Sequence, residues 1–567
     1  MGGLAAPKDA RFTDAEYSGI PPVARAFSSS YLAGDPAALS FLPHDFREAS
    51  ARITRAREAA RRSLPPALGE VLTAQQACLP PSPARQANLD ALVAGNTAVV
   101  VSGQQVGLFL GPLYTFYKAA SAIAVARTVE AESGVRCVPL FWLQTEDHDF
   151  AEIAGCTVPS ADGNLVSLAL HEDPNGDGRQ SIAHRRLGSE VTGLLDTLAT
   201  HLGSDLAADE VISVLRAQYV AGRSLADAFA GTLASVFSEE GLLIFDPRDA
   251  RVAQLAAPIY RRAIEDADAI DRQLSEQSGR LRDAGFAEQV PLRPGCPLVF
   301  FHSGEAAGPR FRLQRHDADG APNAWKLAGT DECVSQVDLL ATIARDPLRA
   351  STSALLRPIV QDSLFPTVAY VGGPAEVSYF AQLMPLYSLF GLTPPVIVPR
   401  ARFRCVDARA RRLLASLALE PEDVDRAEGD LLERVAVARP ADAPDPAALK
   451  RAVANDIAPL VARIADAITA DRPHLGRAAD RTRRSVSHAL ARLVDRYARD
   501  LLDEDSTARR RLQSLQHLLR PGGVAQERVY GWPTFAARMG PATFKRLVFE
   551  RLAQGGPFVT ELRELRP

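Results

Sequence analysis

The pattern of hydrophobic positions is most distinctive between Asp90 and Lys118, where 27 consecutive residues carry no charge. The β-branched run TAVVVSG predicts a short buried strand. Aromatic residues and alanines at helical spacing predict a helix after Pro112, a residue that suits a first helical turn, and Gly134 ends it. The run CVPLFWLQTED predicts a second strand. Strand, helix and strand within so short a segment are typical of the βαβ unit of a parallel sheet.

The same uncharged stretch could be mistaken for a membrane span. A span needs about 20 continuous apolar residues. Here Ser102, Gln104 and Gln105 interrupt the run, and Gly111 and Pro112 break it again. The sequence therefore predicts a buried strand, a turn and a helix, and we expect no membrane segment.

The hydrophobic pattern along the rest of the chain predicts an α/β protein with a discontinuous core. The runs ALLRPIVQD and PPVIVPR are predicted as strands, and TVAYVGGPAEVSYFAQL as a strand, a turn and a helix, so the parallel sheet resumes after a mixed region of strands and long helices. We predict five segments: a first part of the core at 1–154, an inserted α+β region at 155–345, a second part of the core at 346–400, a helical coiled-coil domain at 401–520, and a C-terminal segment returning to the core at 521–567.

Two seams of apolar residues mark the helical region. Residues from Leu449 to Ile468 recur at intervals of 4, 4, 3, 4 and 4, and residues from Val486 to Leu501 at intervals of 4, 3, 4 and 4. Such spacing is typical of coiled coils and long helical hairpins. Dimerisation is the predicted use of these seams, and an intramolecular antiparallel hairpin without a dimer is the alternative.

Composition narrows the class of protein. At 567 residues, the chain exceeds the roughly 250–300 residues at which single cores stop growing. A net charge of -4 provides no basic field for nucleic acid. The six cysteines lie at least 19 residues apart, so no metal or redox pair is predicted and no redox cofactor is expected. The N-terminus lacks the apolar core of a secretory signal, and we expect a cytoplasmic protein with reduced thiols.

Ligands of open parallel sheets bind outside the carboxyl ends of the strands, and three polar clusters fall at predicted strand ends. The first cluster could bring backbone N–H groups and a helix N-terminus to a phosphate or carboxylate. Its spacing matches neither the dinucleotide nor the Walker glycine motif, and the alternative is a tight packing turn. Its residues are Gly103, Gln104, Gln105, Gly107 and Gly111.

Lys118 follows this cluster in the least charged part of the chain. Only five of the 64 basic residues are lysines, and an ammonium group is not interchangeable with a guanidinium group. We interpret Lys118 as a compact charge for a phosphate or carboxylate, while the alternative is a lysine that caps a surface turn of the helix.

The second cluster is the acidic end of the strand CVPLFWLQTED. Carboxylates around a histidine can orient it as an acid or base, and they can also hold Mg²⁺ together with substrate phosphates. Asp147, His148 and Asp149 are the candidate catalytic residues. The alternative is a solvated strand end.

The third cluster surrounds the predicted strand and helix of the second core segment, and its polar groups suit an amine or a sugar. A second helix cap with polar surface positions is the alternative. The chain has no GxSxG elbow, which argues against a serine hydrolase. The candidate substrate-binding residues are Gln361, Asp362, Gly372, Gly373, Glu376, Tyr379 and Gln382.

At these residues the sequence resembles the BshC family of cysteine ligases of bacillithiol biosynthesis. The matching motifs occur in the family's order from about Val99 to Phe535. They are SGQQVGLFLGPLYTFYKAASAI, PLFWLQTEDHDFAEI, LLRPIVQDSLFPTVAYVGGPAEVSYFAQL, PVIVPRARF and PGGVAQERVYGWPTF. The resemblance implies a Rossmann-like core related to class I aminoacyl-tRNA synthetase-type nucleotidyltransferases, with connecting-peptide insertions and a coiled-coil domain that forms a homodimer.

The resemblance also implies an activity, in which the carboxyl group of L-cysteine is joined to the amino group of glucosaminyl malate. ATP is the expected energy source, and Mg²⁺ is a candidate ion to accompany it. QQVG stands where class I synthetases carry His-x-Gly-His, and Arg400 with Arg402 is the counterpart of their Lys-Met-Ser-Lys-Ser motif. Arg400 is therefore a further candidate for malate or phosphate. Activation through an adenylate or an acyl phosphate stays open. The alternatives are a non-catalytic scaffold and an adenylyltransferase for another small molecule.

Overall fold

The computed structural model describes residues 25–160, 164–171, 178–318, 321–426, 428–435, 444–504, 506–558 and 562–566. The expectation about a secretory signal falls on the first 24 residues, which lie outside this part of the chain. Among the described residues, no helix has the length and apolar character needed to cross a membrane.

The core is a five-stranded parallel sheet. Its centre is the strand Thr97–Gln104, whose valines are fully buried on both faces, as a continuous β-branched run requires in a sheet covered on both sides. The order across the sheet is Val396–Pro399, Thr367–Gly372, Thr97–Gln104, Arg136–Leu143 and Leu243–Phe245. The predicted strands TAVVVSG, CVPLFWL, TVAYVG and PVIVP are confirmed, as is the helix Tyr114–Ser133.

The order of the strands creates a topological switch point. The chain proceeds from the central strand towards one edge through Arg136–Leu143 and Leu243–Phe245, and then returns to the other side with Thr367–Gly372. In such sheets the crevice at the switch point is the usual place for a ligand. The strand Leu243–Phe245 lies within the predicted insertion, so this part of 155–345 belongs to the core sheet.

One predicted strand is wrong. The run ALLRPIVQD contains the helix Arg357–Leu364, with Pro358 in its first turn, where a missing N–H costs nothing. Leu356, Ile359 and Val360 are all buried. A short apolar run can serve a buried helix as well as a strand, because burial on all sides removes the periodicity that separates the two.

A second, antiparallel sheet lies beside the core, with the order Ala350–Thr352, Val299–His302, Arg310–Ala318, Ala321–Leu327 and Cys333–Ser335. Two small sheets pair Gly155–Pro159 with Leu165–Ala169 and Arg402–Cys405 with Leu562–Leu565. The main helices around these sheets are Phe27–Ala33, Pro36–Leu39, Ala49–Ala59, Pro66–Ala77, Pro83–Ala94, Phe150–Ile153, Glu190–Leu202, Leu206–Gln218, Leu225–Val236, Ala250–Glu265, Ala267–Asp283, Gln336–Arg345, Pro374–Leu389 and Ala408–Leu417.

The helical region folds as an intramolecular antiparallel hairpin. Its helices are Glu428–Val435, Pro446–Ala452, Ala458–Asp471, Gly476–Glu504 and Ser506–Leu519. Lys450 pairs with Asp495 at 2.9 Å, and the Thr469 side chain packs beside Gly476, so the two arms run in opposite directions. The hairpin leaves apolar side chains uncovered, with Ile464 53% and Leu493 63% exposed.

The C-terminal segment packs back on the core through the helices Gln526–Val529, Trp532–Met539 and Pro541–Ala553. Leu113 donates its backbone N–H to the Tyr530 carbonyl at 2.7 Å, and Trp532 is almost fully buried. These contacts hold the start of the helix Tyr114–Ser133 against the segment that leaves the hairpin.

Candidate active site

A cavity of about 510 Å³ opens at the switch point of the core sheet. Its walls come from three strand ends of the core, from the antiparallel sheet and from the C-terminal segment. All three polar clusters of the sequence contribute to it in part. Its lining includes Gly103, Gln104, Gln105, Tyr114, Lys118, Asp147, His148, Glu152, Arg310, Arg357, Tyr370, Gly373, Pro374, Glu376, Tyr379, Arg400 and Arg528.

The glycines of the first cluster serve close packing. A Cβ at Gly103 would lie 2.7 Å from the Trp142 carbonyl oxygen on the neighbouring strand. A Cβ at Gly107 would lie 2.8 Å from the Cα of Gly111, which has a φ of +62°. Gly103 lines the cavity, but Gly107 and Gly111 are absent from its lining. The predicted anion-binding role therefore finds no support at these two glycines, and the tight packing turn describes them.

The turn that contains Gly107 and Gly111 is strained. Phe109 and Leu110 have φ values of 52° and 74°, which cost about 1–3 kcal/mol each for residues that carry a side chain. Both side chains are buried, and the Tyr219 hydroxyl accepts the Leu110 backbone N–H at 3.3 Å. Burial and this buried hydroxyl stabilise a conformation that the local sequence does not favour.

Lys118 lies at the cavity wall, and its ammonium group is fully used by the protein. It donates to the Gly103 carbonyl and to Gln104 Oε1 at 2.8 Å each, and it pairs with Glu376 at 2.5 Å. An ammonium group has three donors, so these contacts exhaust it. Burial lowers the pKa of Lys118, and Glu376 opposes that shift. The side chain does turn back to the helix start, where it joins two strand ends.

Glu376 closes the same network from the helix Pro374–Leu389. One carboxylate oxygen accepts from Lys118 and from the Gly373 backbone N–H at 2.7 Å, and the other accepts from the Tyr370 hydroxyl. Burial raises the pKa of Glu376, but Lys118 and these hydrogen bonds lower it by more, so the net shift is downward. Glu376 is thus an ionised helix cap, which is the alternative to a substrate-binding role.

Arg400 contacts the cavity but is held by the C-terminal segment. Its two Nη groups bind Glu527 at 2.8 and 2.6 Å in a bidentate pair, and both side chains are almost fully buried. Glu527 comes from the motif PGGVAQERVYGWPTF. The pair therefore anchors this motif beside the strand end at Pro399, and it neutralises the charge of Arg400.

The Asp147–His148 pair is ordered by Arg310 from the antiparallel sheet. Arg310 Nη1 lies 3.3 Å from Asp147 Oδ1 and 3.0 Å from His148 Nδ1. A guanidinium group only donates, so Nδ1 accepts and the ring proton of neutral His148 lies on Nε2. Burial and then Arg310 lower the pKa of His148. Geometry thus favours His148 as a neutral hydrogen-bond donor through Nε2.

Asp147 is surrounded by donors. Its carboxylate accepts from Gln105 Nε2 at 2.7 Å and from the His148 backbone N–H at 2.7 Å, in addition to Arg310. Burial raises the pKa of Asp147, but Arg310 and these hydrogen bonds lower it overall. Asp149, the third candidate of this cluster, caps the short helix Phe150–Ile153 by accepting the Glu152 N–H at 3.2 Å, and it is absent from the cavity lining.

The third cluster splits into a cavity wall and a supporting layer. Gly373 and Tyr379 line the cavity, and Gly372 precedes them at the strand end. Gln361, Asp362 and Gln382 do not line it. The structure therefore does not bring these three side chains to the cavity as the sequence predicted.

The supporting residues instead hold other parts of the fold. Gln361 accepts from Arg357 at 2.7 Å and donates to Asp362, which accepts from the Tyr387 hydroxyl at 2.5 Å. Burial raises the pKa of Asp362. Gln382 accepts the Val290 backbone N–H at 2.9 Å and donates to the Val290 carbonyl at 3.1 Å. The amide thereby ties the helix Pro374–Leu389 to a loop outside the cavity.

Sequence reasoning missed four charged residues of the cavity: Glu152, Arg310, Arg357 and Arg528. Arg357 donates to Gln361 and, at 3.1 Å, to the Tyr379 hydroxyl, and its guanidinium lies 5.0 Å from the Tyr370 ring centre. The signals for Glu152, Arg357 and Arg528 were present, because all three fall inside motifs shared with the family. Arg310 had no such signal, since it reaches the site from the antiparallel sheet.

The cavity offers few ligands for a metal ion. Among the described ranges, no group of three or more His, Cys, Asp and Glu side chains is arranged to hold a metal ion. Mg²⁺ can bind through one or two carboxylates and substrate phosphates. Asp147 already accepts three hydrogen bonds inside the protein, so the described residues of the cavity offer no pair of free carboxylates for Mg²⁺.

Comparisons with known proteins agree with this architecture. The family described as "Bacillithiol biosynthesis BshC, N-terminal Rossmann-like domain" matches residues 16–401, and "Bacillithiol biosynthesis BshC, C-terminal coiled-coil domain" matches residues 403–558. A protein of Salinibacter ruber named "Putative cysteine ligase BshC" is 32% identical over 513 residues, covering 90% of this chain and 91% of the relative. One of Koribacter versatilis with the same name is 32% identical over 460 residues, covering 81% and 82%. The chain belongs to the BshC family of bacillithiol biosynthesis.

Proposed function

We propose that this enzyme is the cysteine ligase that joins the carboxyl group of L-cysteine to the amino group of glucosaminyl malate, with ATP as the energy donor. The names of its relatives support the cysteine ligase activity. The amino sugar acceptor and ATP come from the family resemblance. The observation that carries the proposal is the charge pattern of the cavity, which places cations without carboxylate partners beside a helix N-terminus.

Two cations supply this pattern. Arg357 is held by an amide, a hydroxyl and an aromatic ring, and within the described residues it forms no ion pair. Arg528 also lines the cavity, and it forms no ion pair with the residues that the structure describes. Both are suited to the carboxylates of malate or cysteine, or to phosphates.

The helix Pro374–Leu389 supports the same assignment. Its first residues, Gly373 to Glu376, line the cavity, so the positive end of the helix dipole faces the site. This helix start, rather than the turn at Gly107 and Gly111, is the place we assign to a phosphate or carboxylate.

The remaining groups fit activation followed by amine attack. His148 can donate its Nε2–H to an oxygen of the activated cysteine carboxyl group, while Arg310 holds the imidazole ring and Asp147 holds the His148 backbone N–H. Gln104 is bound to Lys118 and Gln105 to Asp147. The two glutamines that stand in place of the synthetase histidines therefore position neighbouring side chains, and either an adenylate or an acyl phosphate is compatible with this arrangement.

The test is a reaction of the purified protein with L-cysteine, glucosaminyl malate and ATP, followed by mass spectrometry of the thiol product. We expect an amide whose formation needs all three reactants. Release of AMP would identify an adenylate, and release of ADP an acyl phosphate. Absence of product, together with normal bacillithiol in cells that lack the gene, would contradict the proposal and favour a scaffold or another adenylyltransferase.

The helical hairpin supports a homodimer. Ile464 and Leu493 are large, exposed apolar residues on this hairpin, and a second copy could cover them. Light scattering should report a dimer for the native protein and a monomer for Ile464→Asp combined with Leu493→Asp. Leu206→Asp is the matched control, because Leu206 is 89% exposed on another helix. A dimer that survives the double substitution would contradict this interface.

A further inference from the structure

Three carboxylates line the cavity, and two of them are already neutralised. Asp147 accepts from Arg310 and two further donors, and Glu376 accepts from Lys118 and two further donors. Glu152 differs from both, because within the part of the chain that the structure describes no cation lies within ion-pair distance of it. The groups that lower its pKa are the neutral Gln105 side chain, which donates to Asp147, and Lys118, which is paired with Glu376.

The position of Glu152 keeps its charge available. It lies in the first turn of the short helix Phe150–Ile153, which the Asp149 side chain caps, and its carboxylate faces the cavity beside Tyr114. Glu152 keeps an exposed surface. Partial loss of solvent raises the pKa of its carboxyl group, and the neighbouring Asp149 and Asp147 carboxylates raise it further; Gln105 and Lys118 lower it, but the net shift is upward. A cation bound at this point would relieve both effects.

The remaining charges of the cavity restrict where a cationic group can bind. Arg357 and Arg528 carry positive charge without a carboxylate partner, and like charges repel an ammonium group. Lys118 and Arg400 lie in buried ion pairs that offer no free carboxylate. Among the described residues that line the cavity, Glu152 is consequently the carboxylate whose charge is left to a ligand.

We propose that Glu152 binds the ammonium group of an amino substrate and takes its proton when the amine attacks. This inference rests on the proposed function for its chemistry. In the step, the amine nitrogen bonds to the activated carboxyl carbon of cysteine, and the bond from that carbon to the ATP-derived leaving group breaks with its electron pair. One ammonium proton passes to Glu152 and frees the nitrogen lone pair for this attack. The second proton that the nitrogen loses as the amide forms goes to the released phosphate group or to solvent. A glutamate whose pKa is raised towards the working pH is suited to that transfer.

The shared chemistry is a primary ammonium, which either the amino sugar or the amino group of cysteine could supply. Titration calorimetry can separate them with two ligand pairs: glucosaminyl malate against its N-acetyl derivative, and L-cysteine against N-acetylcysteine. The native protein should bind one free amine at least about tenfold more tightly than its acetylated partner, the scale of one charge-assisted hydrogen bond. Preference within the sugar pair identifies the attacking amine, and preference within the cysteine pair alone would overturn the proton transfer while retaining the ammonium site.

Glu152→Gln is the decisive variant, and Glu210→Gln is its matched control on an exposed helix away from the cavity. We expect Glu152→Gln to lose the preference for the free amine while it keeps its affinity for the acetylated ligand, which also shows that it is folded. Glu210→Gln should behave as the native protein. Equal preference in native protein and Glu152→Gln, or no preference in the native protein, would overturn the site.

The pH dependence of the reaction rate distinguishes proton transfer by Glu152 from a purely structural role of this residue. The rate of the native enzyme should fall at acid pH as Glu152 becomes protonated. Glu152→Asp should keep this fall in rate, and Glu152→Gln should lack it. If no amide forms but the amine preference disappears in Glu152→Gln, the proposed function fails and the ammonium site stands. If amide forms and the preference survives the substitution, the site fails and the proposed function stands.

Discussion

The cavity contains two kinds of cation, and they differ in what the protein does with their charge. Lys118 and Arg400 are buried in ion pairs with Glu376 and Glu527. Arg357 and Arg528 line the same cavity without a carboxylate partner among the described residues. The first kind joins chain segments that are far apart in sequence, and the second leaves positive charge for a ligand.

The difference follows from the cost of burying charge. A buried charge must be paired or hydrogen-bonded, and an ion pair satisfies that need inside the protein. Arg357 satisfies it with neutral acceptors and a ring, which stabilise the guanidinium without cancelling its charge. The position of a cation in the cavity is therefore a poor guide to whether it binds a ligand. The group that it contacts inside the protein is a better guide.

The largest effect should come from breaking a neutralised pair. Lys118→Met leaves Glu376 as a buried carboxylate without its cation, and we expect the free energy of unfolding to fall by about 3–5 kcal/mol. Denaturant unfolding measures the loss. A fall of less than about 1 kcal/mol would mean that the pair is dispensable for the fold.

The double variant Lys118→Met with Glu376→Gln sharpens this result. Replacing both partners removes the uncompensated charge, so the double variant should be more stable than Lys118→Met alone. A double variant as unstable as the sum of the two single variants would show that the two side chains act independently.

The next effect concerns an unpaired cation. Arg357→Lys keeps the positive charge, but a lysine ammonium lacks the planar guanidinium group that binds Gln361 and Tyr379 at the same time. We expect KM for the anionic substrate or ATP to rise about 10- to 100-fold, which corresponds to about 1.5–3 kcal/mol, the scale of one hydrogen bond to a charged group. Arg404→Lys is the control, since Arg404 is as deeply buried and binds Asp425 outside the cavity. An equal rise in both variants would indicate a general loss of structure.

Arg528→Gln tests the second unpaired cation, with a smaller expected effect because the side chain is exposed. KM should rise by about tenfold or less, while the free energy of unfolding stays within about 0.5 kcal/mol of the native value. Arg546→Gln is the control, as Arg546 is 60% exposed and pairs with Glu550 on a helix outside the cavity. Unchanged kinetics in Arg528→Gln would place anion recognition on Arg357 and the helix start alone.

The smallest expected effect is a change in the pKa of His148. Burial lowers the pKa of His148 below its usual 6.5, and Arg310 lowers it further, so the folded protein resists protonation and loses stability as pH falls below 6.5. Arg310→Met should raise this pKa and weaken that pH dependence. An NMR titration, with His148→Gln to assign the signal, measures it. An unchanged pKa would mean that Arg310 does not hold the imidazole ring.

Much of the fold could be predicted from local sequence. Four core strands and the helix Tyr114–Ser133 follow from runs of apolar residues between turn signals, because the parallel sheet is buried on both faces. The run ALLRPIVQD shows where this reasoning fails. Its apolar residues are equally compatible with a buried helix, and Pro358 in the first turn was the available clue.

The candidate site was predicted less completely, for a physical reason. Gly103, Lys118, Asp147, His148, Glu376 and Arg400 do converge on one cavity, as carboxyl ends of neighbouring parallel strands must. Gln361, Asp362 and Gln382 carry the same chemistry but face the supporting layer. Which side of a helix meets the cavity depends on how that helix packs, and local spacing does not contain that information.

The sequence by itself determined the βαβ pattern, the strand ends where polar residues gather, the helical hairpin seams and, through long ordered motifs, the family. Tertiary structure alone decided which charges remain available. Glu527 reaches Arg400 across 127 positions and Arg310 reaches His148 across 162. Partners so distant meet only when the complete chain folds, and since a partner cancels or preserves a charge, the fold decides which side chains can act on a substrate.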